Sequence, residues 1–107
     1  MKELVKITVG VPPADADKLR MAIGETGAGK IGNYYFCSYT VKVVGRFKPE
    51  LGAQPFIGEV GELEEVEEER IEVTCSKDQI KQVVSAIRKN HPYEEAAIDI
   101  FPLLPLE

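Results

Sequence analysis

The sequence predicts an α+β domain in which four strands and two helices follow the order β-α-β-β-α-β. Three observations carry that expectation. Apolar residues alternate with period two in four segments, they recur at helical spacing in two others, and glycine- and proline-rich stretches punctuate the series. With 107 residues, 44% of them hydrophobic and 29% charged, the chain can build one core but not two. A single domain over residues 1–107 is therefore expected.

In order along the chain, Val5, Ile7, Val9 and Val11 share one side of an opening strand over 4–11, with Lys6 and Thr8 opposite. Pro12-Pro13 ends it, and the second proline suits the first turn of a helix, where no N–H is needed. Ala16, Leu19, Ala22 and Ile23 then form a helical stripe, with Asp15 and Asp17 near the positive N-terminus. Gly27 stops this helix inside the run Gly27-Ala28-Gly29-Lys30-Ile31-Gly32. A long strand is expected from residue 34 to about 47, with Tyr35, Cys37, Tyr39, Val41 and Val43 on one face. That length suits pairing across subunits.

Pro49, Gly52, Pro55, Gly58 and Gly61 make residues 48–61 a loop. A strand over 63–75 alternates Ile71, Val73 and Cys75 with Glu72 and Thr74. Ser76-Lys77-Asp78-Gln79 then fits a capping box, in which glutamine reaches back to the serine backbone. Ile80, Val83, Val84 and Ile87 give the strongest helical period, closed by Asn90-His91-Pro92. The last strand covers 96–102, with Ala96, Ile98 and Ile100 on one side. Four antiparallel strands with two helices on one face make the ferredoxin-like, split βαβ arrangement, which by itself leaves function open.

Charge narrows the partners. Thirteen basic against eighteen acidic residues leave a net charge of −5. A general nucleic-acid binder needs a basic face, and an anionic membrane surface attracts one too, so neither partner is expected. No apolar stretch approaches the roughly 20 residues of a spanning helix, and Met1-Lys2-Glu3-Leu4 does not begin a secretory signal. Cys37 and Cys75 are too few for a disulfide framework and are spaced like neither a zinc site nor a redox pair. The expected location is the reducing cytoplasm. Eight acids crowd into Glu59 to Glu72 with only Arg70 among them, which is expected to be a solvated strand edge that resists aggregation; weak attraction of divalent cations is the alternative.

Gly27, Gly29 and Gly32 match G-x-G-x-x-G, but a helix precedes and a strand follows, the reverse of a dinucleotide site. The expected role is a helix C-cap and tight turn with positive φ; the alternative is a backbone-lined pocket with Lys30 as counter-charge. His91, the only histidine, stands beside Glu94 and Glu95, a set able to take a divalent ion but too sparse for a tight zinc or dinuclear site. The competing view makes it a connector, extended before Pro92, with Tyr93 packing. Cys37 and Cys75 lie on apolar registers and are expected in the core. No nucleophile–base–orienter set can be assembled, so no catalytic residue is assigned.

Several short motifs occur in a specific order: Gly27-Ala28-Gly29-Lys30-Ile31-Gly32-Asn33-Tyr34, Cys37-Ser38, Gly45-Arg46-Phe47-Lys48-Pro49, Pro55-Phe56-Ile57-Gly58, Arg70-Ile71-Glu72 and His91-Pro92-Tyr93-Glu94-Glu95-Ala96. The set resembles the insert domain of the bacterial YqfO proteins, in the family of GTP cyclohydrolase type 2 homologues with a dinuclear metal site. That insert is similar to the PII and CutA proteins, trimeric ferredoxin-like folds, and CutA, linked to divalent-cation tolerance, has a similar His-Pro-Tyr-Glu segment. The flanking residues that hold the two metals in the full-length family are absent from this sequence, so the resemblance implies a free-standing lid or regulatory module and not the cyclohydrolase activity.

It further implies a homo-oligomer, a trimer in preference to a dimer, that binds a small ligand or divalent cation without catalysis. Gly29, Lys30, Gly32, Asn33 and Tyr93 are the implied ligand-binding positions, and His91 with Glu94 the implied metal ligands. No cofactor is fixed beyond a candidate divalent metal ion. Two alternatives stand beside this reading. One is an interaction module that caps a separate metal-binding YqfO-type protein; the other is a weak metal-dependent nucleotide hydrolase whose site is shared between subunits.

Overall fold

The computed structural model describes residues 2–106. Strand β1 (Leu4–Val11) buries Val5, Ile7, Val9 and Val11, as its alternation requires of a strand covered on one side. Pro13 occupies the first turn of α1 (Pro13–Glu25), which turns Ala16, Leu19 and Ile23 inward; Ala22 is only half-buried. The chain then forms β2 (Tyr39–Phe47), β3 (Glu64–Ser76), a single 3₁₀ turn (Lys77–Gln79), α2 (Ile80–Asn90) and β4 (Ile98–Pro102). At the start of that turn the Ser76 N–H donates to Gln79 Oε1 at 2.9 Å, the backward half of the expected capping box. Val83 and Ile87 are buried along α2. No described helix is long and apolar enough to cross a membrane.

The strands form one antiparallel sheet in the order β2-β3-β1-β4. Residues directly opposite one another share a face. Val5, Ile7 and Val9 lie beside Cys75, Val73 and Ile71 of β3, and beside Pro102, Ile100 and Ile98 of β4. Both helices cover this side, and their apolar stripes join β1 and β3 in a single core. The opposite face has no helix over it. It carries a polar chain in which Lys6 Nζ reaches Glu72 Oε1 at 3.3 Å and Arg70 Nε reaches Glu72 Oε2 at 3.1 Å, between the exposed side chains of Tyr39 and Phe101.

Three expectations need correction. The acidic strand is an edge only in part: Glu69–Glu72 of β3 runs between β2 and β1, while Glu64–Glu68 has β2 alone beside it. Glu69 and Glu72 meet cations from α1, from β1 and from β3 itself. Arg20 of α1 donates to Glu69 at 2.9 Å, and Lys6 and Arg70 hold Glu72. Second, β2 begins at Tyr39 and not at residue 34, because Ile31 and Tyr34 close a tight turn with reciprocal 2.9 Å hydrogen bonds and Phe36 adopts φ 58°. A non-glycine residue at that φ lies outside the extended region that a regular strand requires. The Phe36 ring lies over Gly24 of α1, so closely that a Cβ at Gly24 would fall 1.8 Å from it. Third, β4 starts at Ile98, although Ala96 still packs on the core.

One further feature positions the site. Pairing of β1 with β3 ends at Val11 opposite Glu69, whereas β2 and β3 stay paired down to Phe47 opposite Glu64. Residues 43–47 and 64–68 therefore leave the sheet as a two-stranded arm, capped by the loop 48–63. The long axis of the molecule is 48 Å against 23 and 22 Å for the others.

Candidate functional site

The segment after α2 is the most densely bonded of the candidate regions. His91 is extended (φ −99°, ψ 136°), as a residue before proline should be, and is buried. Its Nε2 lies 2.7 Å from the carbonyl oxygen of Gly10, which can only accept, so Nε2 carries the hydrogen. Nδ1 accepts the Tyr93 N–H at 3.0 Å. Both ring nitrogens are thus used within the chain. The Tyr93 hydroxyl donates to Glu68 Oε2 at 2.7 Å, and its ring sits between His91, Phe47 and Phe56 at centroid separations of 4.9, 6.3 and 6.3 Å. Burial first, and then the Glu68 carboxylate, push the Tyr93 phenol well above its ordinary pKa. Glu94 accepts the Gln54 N–H at 3.0 Å.

Glu68 fits because its neighbours lack side chains. A Cβ on either Gly10 of β1 or Gly45 of β2 would come within 2.8 Å of Glu68 Oε1. Glycine inside a strand marks such a close approach. Local sequence reasoning placed Glu68 among solvated acids and gave Gly10 no role, since the slot exists only once three strands are in register. The Gly45 motif and His91-Pro92-Tyr93 were the available signals.

The second group, Gly29 to Asn33, is built differently. Gly27, Gly29 and Gly32 all have positive φ, in line with the turn reading. Gly29 is buried, its N–H donates to the Thr74 carbonyl at 2.8 Å, and its own carbonyl accepts the Cys37 N–H at 2.9 Å. Lys30 extends over the Tyr35 ring, 5.3 Å from its centroid, a cation–π contact. Gly32 and Asn33 are exposed at the turn.

Within one chain these two groups do not meet. Gly29 is fastened to Thr74, opposite Lys6, whereas His91 is fastened to Gly10. Four residues of β1 separate those points, about 13 Å along the strand. Among the described residues, no three of His, Cys, Asp and Glu cluster closely enough to hold a metal ion. The two thiols also part company. Cys75 is buried as expected, but Cys37 is only half-buried, because it precedes β2 and does not enter the core. Burial raises the Cys75 thiol above its ordinary pKa.

No family model matches the chain. The GTP cyclohydrolase 1 type 2 homolog of Halalkalibacterium halodurans is 49% identical over 102 residues, covering 95% of this chain and 27% of that protein. Its Bacillus subtilis counterpart is 49% identical over 100 residues, with 94% and 27% covered. The chain spans about a quarter of the length of the curated relatives it matches. A Bacillus cereus protein related to NIF3 superposes with TM-score 0.84 at 40% identity, over 95% of this chain and 26% of that one. CutA1 from Oryza sativa (TM-score 0.74, 15% identity, 99% and 84% covered) and Bacillus subtilis GlnK from its ATP complex (0.66, 18%, 96% and 84%) share the fold. Over nearly its whole length the chain is similar to about one quarter of the GTP cyclohydrolase 1 type 2 homologues and of a NIF3-related protein, and it shares the fold of CutA1 and GlnK.

Proposed function

We propose that the chain acts as a non-enzymatic, homo-oligomeric PII/CutA-like module, a trimer, that binds a small ligand or divalent cation in a reducing cytoplasm. The observation that carries this reading is the sheet face without helices, where Tyr39 is 76% exposed beside Val41 on one edge strand and Phe101 is 50% exposed on the other. Aromatic and β-branched side chains in that number on one open face favour burial against a copy. The separation of Gly29–Asn33 from His91–Glu94 supports a ligand site completed between subunits. A cation at His91 must displace either the Gly10 carbonyl or the Tyr93 amide, so Lys30 and Asn33 are the better anchors for a small anionic ligand.

Native mass spectrometry of gently purified protein, without added metal or nucleotide, tests both parts. A trimer with a stoichiometric extra mass, lost in Lys30→Ala with Asn33→Ala, is expected. A monomer at micromolar concentration overturns the oligomer. A second reading, a cap on a metal-binding YqfO-type protein, draws on the likeness of this chain to 27% of the length of such relatives. Co-purification with such a protein favours it.

A further inference from the structure

The arm has too little of its own to hold its direction. A two-stranded ribbon is marginal in water unless something packs on it. Beyond Val11 neither β1 nor β4 accompanies β2 and β3, and no residue of 64–68 or 43–47 is fully buried. Yet the arm is tied, from its base to its far end, to one short segment. His91 bonds the end of β1 through Gly10, Tyr93 bonds β3 through Glu68 at the base of the arm, the Tyr93 ring meets β2 at Phe47, the far end of the arm, and the capping loop at Phe56, and Glu94 takes the Gln54 amide of that loop.

We propose that His91–Glu94 is a strap that sets the direction of the β2–β3 arm, with Tyr93 as its positioning residue and the Gly10/Gly45 slot as the seat for Glu68. The hydroxyl-to-carboxylate bond is charge-assisted and stands at the point where three strands become two. His91 turns the strap toward it: with Nε2 committed to Gly10, Nδ1 is left as the acceptor that fixes the Tyr93 amide. Whatever withdraws Tyr93 from Glu68 frees the arm while leaving the core intact. Occupancy of the 91–94 segment and the setting of the arm are therefore linked. This inference uses contacts inside one chain and does not depend on the oligomer.

Backbone amide hydrogen exchange tests it, comparing arm amides in 43–47 and 64–68 with core amides of β1 and α2. Tyr93→Phe keeps the ring and removes only the hydroxyl. Arm exchange should rise about tenfold, the factor expected for losing one charge-assisted hydrogen bond, with core exchange unchanged. Glu68→Gln keeps an acceptor and should give a smaller rise, and the double variant should exchange no faster than Tyr93→Phe alone. Tyr93→Ala should give the largest rise. Arm rates within twofold of wild type in both Tyr93→Phe and Tyr93→Ala overturn the strap, as does a rise shared equally by core amides in Tyr93→Phe. Native mass spectrometry on the same samples keeps the two readings apart. A monomer with the arm effect retains the strap and removes the oligomer, whereas a trimer without it does the reverse.

Discussion

The two halves of β3 are one strand in two environments. In the half from Ile71 onward, Ile71, Val73 and Cys75 are 1–4% exposed, flanked by β1 and covered by helices. In the half from Glu64 to Glu69, the single apolar residue Val66 is only half-buried, and β2 is the neighbour along most of it. Strand pairing alone therefore does not make a core. The first half is stabilised by apolar area removed from water, the second by a few polar and aromatic ties along the arm.

That contrast can be broken most forcefully by truncation. Ile71→Ala should cost about 3 kcal/mol in denaturant unfolding, whereas Glu67→Ala, exposed in the arm, should stay within about 0.5 kcal/mol. Equal effects would abolish the distinction. Next, Gly29→Ala should destabilise the buried half by roughly 2 kcal/mol: φ is +81°, and the new Cβ would stand 2.4 Å from the Cys37 carbonyl, in the loop bonded to Thr74. A neutral result would mean the loop yields freely.

A smaller effect sharpens the boundary between the halves. The hydrogen bond from Lys6, with help from Arg70, holds the Glu72 carboxyl below the usual glutamate range. A carboxylate depressed on folding adds stability above its unfolded pKa, and that stability disappears as pH falls through the folded value. The unfolding midpoint should therefore drop on acidification from about pH 5 to pH 3, and less so in Glu72→Gln. The last test leaves stability untouched. In native protein Cys37 should react with a thiol reagent and Cys75 should not; both should react after denaturation. Rapid labelling of Cys75 would mean that the buried half opens readily.

Local pattern encodes most of the secondary structure. The alternation of Val5 to Val11, the stripe Ile80–Ile87 and Ser76 with Gln79 each encode structure within a few residues, and the four strands and two helices follow. Strand order is not local. Acids at Glu65, Glu67 and Glu69 alternate with others at Glu64, Glu68 and Glu72, a pattern that does not show where the edge ends: Glu64–Glu68 has one neighbouring strand, whereas Glu69 and Glu72 lie between two and take counter-charges from Arg20 and Lys6. Residues 34–38 have strand-like composition, but Phe36 is drawn into a left-handed turn by packing on Gly24, a tertiary cause. The candidate site was legible as two motifs. That they stand at opposite ends of β1, and that Glu68 belongs with His91 and Tyr93, emerges only from register.

The elongated shape has a mechanical side. The five-residue ribbon projects about 17 Å from its base before the capping loop begins. A tilt of about 20° there, no more than the usual twist between adjacent strands, would carry its tip about 6 Å. A bond of 2.7 Å at the fulcrum thus governs a displacement about twice its own length at the far end. The molecule is built as a lever latched beside its pivot by Tyr93 and Glu68, with the same strap bracing the far end through Phe47 and the loop through Phe56.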